Sequence, residues 1–196
     1  MRRDLAALVA SAQRAVWAGE SSEYLLPDLR EIAEVSVEGC EEWCFAIREI
    51  ALRTADVDPW GAALIAKKLV AIEPRDHVGW AVLGLAHSLL GNLRYALAAY
   101  ERALAVAPMQ PHYAHNYGHL LDVIEGDPAR ALPYLERAHE ASPRCIDTAL
   151  SLAHALVRVS RGEEALALLN PSWGLRRDQR RVAAWVERQA RQQAKP

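Results

Sequence analysis

The sequence predicts an all-α protein, and three observations lead to that prediction. Alanine, leucine, arginine and glutamate dominate the chain of 196 residues, and no apolar run alternates with the period of two typical of strands. Proline recurs after 34 and then 35 residues, at Pro74, Pro108 and Pro143. Small residues recur in step with these prolines. Because one helix–turn–helix unit leaves an apolar face bare, successive units must stack, and the predicted fold is an α-solenoid.

The segment before the first repeat is predicted to be helical and to cap the solenoid. Residues 3–18 carry apolar side chains at helical spacing, and Glu20, Ser21 and Ser22 interrupt this pattern. Pro27 predicts the start of a second, shorter helix, because proline suits the first position of a helix. We therefore expect N-terminal capping helices within residues 1–40.

Residues 77–110 form the most regular unit. Gly84 and Ala96 are small enough for two helices to approach closely, Gly91 permits the left-handed conformation that ends a helix, and proline closes the unit. The pattern resembles the tetratricopeptide repeat, with a histidine in the place of the usual tyrosine. The residues that carry this resemblance are Trp80, Leu83, Gly84, His87, Ala96, Tyr100, Ala103 and Pro108.

The neighbouring units extend the pattern in both directions. Residues 111–145 form a second clear repeat with one extra residue, which we place near the turn Glu125–Pro128, where an insertion does least harm. Residues 43–76 are interpreted as a degenerate repeat whose second helix begins at Asp58 and Pro59. About four repeats thus occupy residues 43–170, with the first and last degenerate.

The last repeat is cut short at Asn170–Gly174, and a final helix over residues 176–193 carries Val182, Trp185, Val186 and Ala190 on one side. A terminal repeat needs a cap with a polar outer face, and this helix suits that task. No linker or low-complexity segment is evident. We expect residues 1–196 to form one domain.

Composition and charge exclude several classes of protein. A net charge of -2 and a pI near 6.4 argue against a dedicated nucleic-acid binder. No apolar run is long enough to span a membrane, and polar residues interrupt any signal-peptide core near the N-terminus. Three cysteines, at Cys40, Cys44 and Cys145, fit free thiols in a reducing compartment. We therefore expect a cytoplasmic protein.

The resemblance to tetratricopeptide repeats implies a right-handed solenoid whose first helices line a concave groove. Such proteins are interaction modules, and the resemblance implies a partner that lies in the groove as a peptide or helix. Asn116 and Arg48 also fall where some family members hold a partner's carboxylates. Residues expected to contact a partner protein are Arg48, Val78, Val82, Leu85, His112, His115, Asn116, His119, Asp122 and His154.

Four of these residues, His112, His115, His119 and Asp122, share one helix stripe. Neutral imidazoles in a polar groove wall are one interpretation, and a surface that gains charge below about pH 6.5 is another. A metal site would need further ligands nearby, which the sequence does not show, so we predict neither metal nor cofactor. No phosphate loop or nucleophile motif occurs, and we predict a protein without enzymatic activity.

Three functional hypotheses remain open. The first is a scaffold that binds a peptide or helix of another protein in the groove, as a monomer or weak homodimer without a small-molecule substrate. The second is a chaperone of the bacterial secretion type, which holds apolar segments of its cargo. The third is an assembly subunit that works through its convex face. The basic helix 176–193 and the acidic stretch 20–49 offer further docking surfaces, for an acidic partner, RNA or another copy.

Overall fold

The structure is a computed structural model that describes residues 4–170 and 173–194. Over these ranges it contains eleven α-helices, one π-turn and no strand, which confirms the all-α prediction. The helices are α1 (Leu5–Trp17), α2 (Ser22–Val35), α3 (Glu41–Thr54), α4 (Pro59–Ile72), α5 (His77–Leu89), α6 (Leu93–Val106), α7 (Pro111–Leu120), α8 (Pro128–Ala141), α9 (Ile146–Arg158), α10 (Gly162–Leu168) and α11 (Arg177–Gln193). The π-turn, Leu121–Glu125, directly follows α7.

The chain divides into two compact units after Val106, and each is described by itself. In the first unit, α1, α2 and α3 share one apolar cluster that includes Leu29 and Ile32, both fully buried. A second cluster joins α3 and α4 to α5 and α6 through Ala66, Val82 and Ala99. These clusters hold the predicted capping helices against the first repeat helices. The single-domain organisation of the whole chain stays a prediction.

The second helix begins earlier than predicted. We expected Pro27 to open it, but α2 starts at Ser22 and contains the proline within its second turn. Leu25 lies on the same face as Leu29 and is 3% exposed, so burial of one more apolar residue favours the extra turn. Residue 3, which we included in the first helix, lies outside the described residues.

Aspartate side chains cap the N-termini of two repeat helices in the first unit. Asp58 accepts a hydrogen bond from the Gly61 backbone N–H at 2.9 Å, which confirms the predicted start of α4 at Pro59. Asp76 caps α5 in the same way, accepting from the Gly79 N–H at 2.7 Å. These caps determine where each repeat helix begins, and hence which side chains it presents.

We predicted that the extra residue of the second clear repeat lies near the turn Glu125–Pro128, but the structure places it elsewhere. The structure accommodates it inside the helix, where Leu121–Glu125 form a π-turn. Gly126 then adopts a left-handed conformation with φ of 69°, and the N–H of Asp127 donates to the Leu121 carbonyl at 3.2 Å. The turn is kept at normal length, because the helix widens to absorb the insertion.

The second unit ends in α11, the helix that we predicted over residues 176–193 as a cap. In α11, Val186 and Ala190 are buried, whereas Val182 and Trp185 are half-buried. The helix packs against α9 and α10, and Gly162 allows the close approach because a Cβ there would lie 3.0 Å from Ala190 Cα. Residues 171 and 172, part of the predicted break before α11, lie outside the described residues.

No helix among the described residues is both long enough and apolar enough to cross a membrane.

Candidate binding site

The predicted contact residues of the first unit are covered to different degrees. Val78 and Leu85 are half-buried against the apolar cluster of α3 to α6, with part of their surface exposed. Val82 is 1% exposed, so it belongs to the core, and its place in the predicted contact set is corrected. The residue lies on the inward face of α5, in the apolar cluster that α5 shares with α3, α4 and α6.

Arg48 is engaged in an ion pair inside the first unit. Its Nε and Nη2 atoms lie 2.7 Å and 2.5 Å from Oδ2 of Asp76. The Asp76 side chain is 2% exposed and also caps α5, whereas the Arg48 side chain is 32% exposed. This guanidinium therefore stabilises the start of α5, and only its outer edge is free to contact a partner.

A pocket of about 400 Å³ lies in the second unit, where α7 and its π-turn face α9 and α11. The π-turn, α9 and α11 each contribute one apolar side chain to its wall, namely Val123, Leu150 and Val182. Three of the predicted contact residues, His115, His119 and His154, come together here. The residues that line the pocket are His115, His119, Val123, Asp147, Leu150, Ser151, His154, Asp178, Gln179 and Val182.

One hydroxyl links two of the pocket histidines. Ser151 Oγ lies 3.1 Å from Nε2 of His115 and 3.4 Å from Nδ1 of His119. Because a hydroxyl has a single hydrogen to donate, it donates to one imidazole and accepts from the other. This shared contact orients both rings on the α7 side of the pocket.

Desolvation lowers the pKa of both imidazoles. Burial, followed by the neighbouring His119, lowers the pKa of His115 from its ordinary value to about 4. Partial enclosure lowers the pKa of His119 in the same direction, although a larger part of that side chain is exposed. His115 therefore stays uncharged at pH 5–7, which corrects the interpretation that the stripe gains charge together below about pH 6.5.

Asp122 is buried beneath the pocket and does not form part of its surface, contrary to our prediction. Its side chain is 2% exposed, and it pairs with Arg158 through Oδ1 and with His154 through Oδ2. Nδ1 of His154 lies 2.5 Å from that second oxygen. Asp122 is the second residue of the π-turn.

The remaining predicted residues lie on α7. His112 is exposed near the start of the helix, and Asn116 is half-buried and already makes an interaction. Neither lines the pocket.

Sequence reasoning did not foresee the part that α11 plays. Gln179 is 6% exposed and lines the pocket, and its side-chain amide donates to Oδ1 of Asp147, another lining residue, at 2.7 Å. The imidazole ring of His154 stacks on Trp185 of α11, with 4.6 Å between the ring centroids. In the sequence, the signal for this role of α11 was the apolar side of the final helix, which includes Val182.

Side chains suited to metal binding are not clustered in the described part of the chain. No three His, Cys, Asp or Glu side chains within residues 4–170 and 173–194 are placed to hold an ion together.

Comparisons with known proteins agree with this fold. A family model described as Tetratricopeptide repeat matches residues 123–188. The solved structure of MamA, residues 41 to the end, from Desulfovibrio magneticus RS-1 superposes with a TM-score of 0.65, 18% identity and coverage of 100% of both chains. A comparison with curated protein sequences finds no significant match.

Two further solved structures extend the likeness. YrrB, described as a TPR protein with an unusual peptide-binding site, gives a TM-score of 0.64 at 18% identity and covers 76% of this chain and 82% of its own. TTC0263, a thermophilic TPR protein of Thermus thermophilus, gives 0.60 at 21% identity, with 93% and 98% covered. The predicted resemblance to tetratricopeptide repeat proteins and the all-α, solenoid-type fold are thereby confirmed.

Proposed function

We propose that this protein is a non-enzymatic interaction module that binds a peptide or helix segment of a partner protein in the pocket between α7, α9 and α11. The observation that carries the proposal is the composition of this pocket. Its apolar wall of Leu150 and Val182 surrounds a few oriented polar groups, Ser151 and the pocket histidines. Sites that bind an apolar group in a fixed orientation have this combination.

The comparisons support an interaction role. Tetratricopeptide repeat proteins serve as protein-binding scaffolds, and the description of YrrB names a peptide-binding site. Transferred to this chain, that role suits a surface formed by the first helices of repeats, α7 and α9, and bounded by α11. The three cysteines are free thiols, which supports a reducing, cytoplasmic setting for the interaction.

Additional contacts are proposed outside the pocket. His112 precedes the pocket on α7, and Asn116 lies between His115 and His119 without lining it. We assign His112 and Asn116 to the more polar part of the bound segment. In the first unit, the exposed parts of Val78 and Leu85 and the outer edge of Arg48 form a second proposed contact region.

Ser151 beside His115 does not amount to a catalytic pair in this proposal. A general base works best when its pKa lies near the working pH, and burial places the pKa of His115 at about 4. The hydroxyl also divides its hydrogen-bonding capacity between His115 and His119. We therefore assign these groups to ligand orientation.

Affinity capture from native lysate with two matched variants tests the proposal. Val182→Glu puts a carboxylate into the pocket wall, whereas Ala184→Glu puts the same group on the exposed face of the same helix. We expect a partner that wild type and Ala184→Glu retain, and that Val182→Glu loses by tenfold or more. Circular dichroism checks that both variants keep their helices.

Equal retention by both variants would contradict a pocket-centred interaction. A chaperone-type role uses the same pocket, and it differs in that the retained partner is captured before it folds. Comparing the capture of folded and urea-unfolded partner distinguishes the two roles.

One observation favours the assembly-subunit alternative as a second candidate. Trp60 and Leu64, one turn apart on α4, are 60% and 54% exposed, which is a large apolar surface for adjacent positions. If this face joins the protein to a larger assembly, Trp60→Ser with Leu64→Ser reduces the mass measured by light scattering. An unchanged mass, equal to that of a monomer in both proteins, would exclude self-assembly through α4.

A further inference from the structure

The outer face of α11 is strongly basic. Residues 176–193 contain six arginines against two acidic residues. Four of these arginines, Arg177, Arg181, Arg188 and Arg191, are exposed, and their spacings of 4, 7 and 3 place them on one side of the helix. They form a row about 21 Å long, which we call the arginine stripe.

Most of the stripe has no carboxylate of the protein to neutralise it. Among the described residues, Arg177, Arg181 and Arg188 form no ion pair. Arg191 lies 3.5 Å from a carboxylate oxygen of Glu187, and its side chain is 73% exposed. The positive charge of the stripe is therefore available to an anionic partner.

The residues around the stripe indicate which kind of anion it fits. Ala184 lies between the arginines, and Arg180, Glu187 and Gln192 flank them as further exposed residues. Protein interfaces have an apolar core, and helices that lie on membranes insert bulky apolar side chains, but this face offers neither. A phosphate needs only hydrogen-bond donors, and a guanidinium supplies two of them in parallel. Phosphate groups in a row thus complement the stripe.

We propose that the arginine stripe binds single-stranded nucleic acid through its phosphates. The inner side of α11 packs against α9 and α10, so the helix cannot enter a groove of a duplex, whereas a flexible strand can follow its outer face. Because phosphate contacts carry no sequence information, strands of uridine and of deoxythymidine should bind alike. This surface goes beyond the proposed function, since it lies outside the peptide pocket.

The net charge of the whole chain does not contradict such a surface. The value of -2 averages the stripe with the acidic stretch 20–49, which holds nine acidic residues against two arginines. Exposed charges act over about 10 Å at 0.1 M salt, so a bound strand responds to the charges beside it and not to the average.

Fluorescence anisotropy of a labelled uridine strand of about 15 nucleotides tests the proposal with the full-length protein. We expect a dissociation constant of about 10 µM or lower at 50 mM salt. If the strand loses about four phosphate contacts, its binding should weaken about fiftyfold at 200 mM salt.

Charge reversal assigns the binding to α11. Arg181→Glu combined with Arg188→Glu should weaken it about twentyfold, because two phosphate contacts become repulsions. The matched control is Arg94→Glu with Arg102→Glu, which makes the same charge change at exposed positions of α6 and should weaken binding less than threefold. Circular dichroism checks that both double variants keep their helices.

Competition separates the possible anions. The unlabelled uridine strand should displace the label, whereas polyglutamate, or phosphatidylcholine vesicles with about 30% phosphatidylserine, should not do so at equal charge. Stronger displacement by polyglutamate or by the vesicles would overturn the proposal in favour of an acidic protein or a membrane.

Three other results would overturn it: no anisotropy change up to about 100 µM protein, binding that ignores salt, or equal loss in the two double variants. The proposed function is tested separately, by capture of a protein partner from nuclease-treated lysate. That capture should persist after reversal of Arg181 and Arg188, since neither residue lines the pocket. Either claim can therefore fail without the other.

Discussion

Single residues determine how closely the helices of each repeat approach. A Cβ atom at Gly84 would lie 2.8 Å from the ring of Tyr100, and one at Gly118 would lie 2.9 Å from Leu135 Cγ. At such distances the neighbouring side chain would have to move to make room for the new Cβ atom. Both glycines and their packing role could be predicted from the sequence, because the small residue and its partner recur at fixed offsets. The burial of Asp122 could not, since it depends on a local change of helical geometry.

Gly84→Leu should destabilise the protein through overpacking. The new side chain meets the buried ring of Tyr100, and we expect the free energy of unfolding to fall by about 3 kcal/mol. Urea unfolding followed by circular dichroism measures the change. Gly174→Leu is the control, because a Cβ there meets nothing within 4 Å. Equal stability of the two variants would contradict the close approach of α5 and α6.

Acidification should weaken the fold through His115. Its pKa is about 4 in the folded protein and 6.5 in the unfolded chain, so between these values the unfolded state binds more protons. The contribution of the neutral ring to stability is complete above pH 6.5 and is lost as the pH falls towards 4. From pH 7 to pH 5, wild type should lose about 1–2 kcal/mol more than His115→Gln, as measured by urea unfolding at each pH. Parallel pH profiles would show that the ring is not desolvated.

At the scale of elements, the π-turn after α7 and the capping helix α11 create the pocket together. The π-turn carries Val123 to the pocket rim and Asp122 beneath it, and α11 brings Gln179 and Val182 across from α9. The sequence indicated the insertion, from a spacing of 35 residues instead of 34, and the apolar side of the last helix. It did not indicate where the helix would widen, because a longer turn and a π-turn absorb one residue equally well.

Deleting Val123 should convert the π-turn into regular α-helix. Helical content stays the same, but Asp122 loses its position between His154 and Arg158, and we expect the unfolding free energy to fall by about 1–2 kcal/mol. A double-mutant cycle that combines this deletion with Arg158→Ala measures the coupling between Asp122 and Arg158. Arg158→Ala should lower the stability of the wild type and change that of the deletion variant almost not at all. Equal costs in both backgrounds would mean that the pair does not depend on the π-turn.

At the scale of the whole molecule, two compact units carry different candidate surfaces. The first contains the N-terminal helices α1 and α2 and the exposed apolar residues of α4, and the second contains the pocket. Repeat architecture could be predicted from the sequence, since core positions recur along the chain with a fixed period. The pocket could be predicted only in part: its histidines were identified, but side chains of α11 belong to no repeat and follow no period.

Site-specific photo-cross-linking in native lysate tests most directly whether the pocket is the partner site. A benzophenone amino acid in place of Val123, which is 52% exposed at the pocket rim, should form a cross-link to one partner protein. The same group in place of Ala184, on the outer face of α11, should not, and adding Val182→Glu should abolish the adduct at position 123. Cross-links of equal yield from both positions, or an adduct unaffected by Val182→Glu, would contradict a partner bound in the pocket.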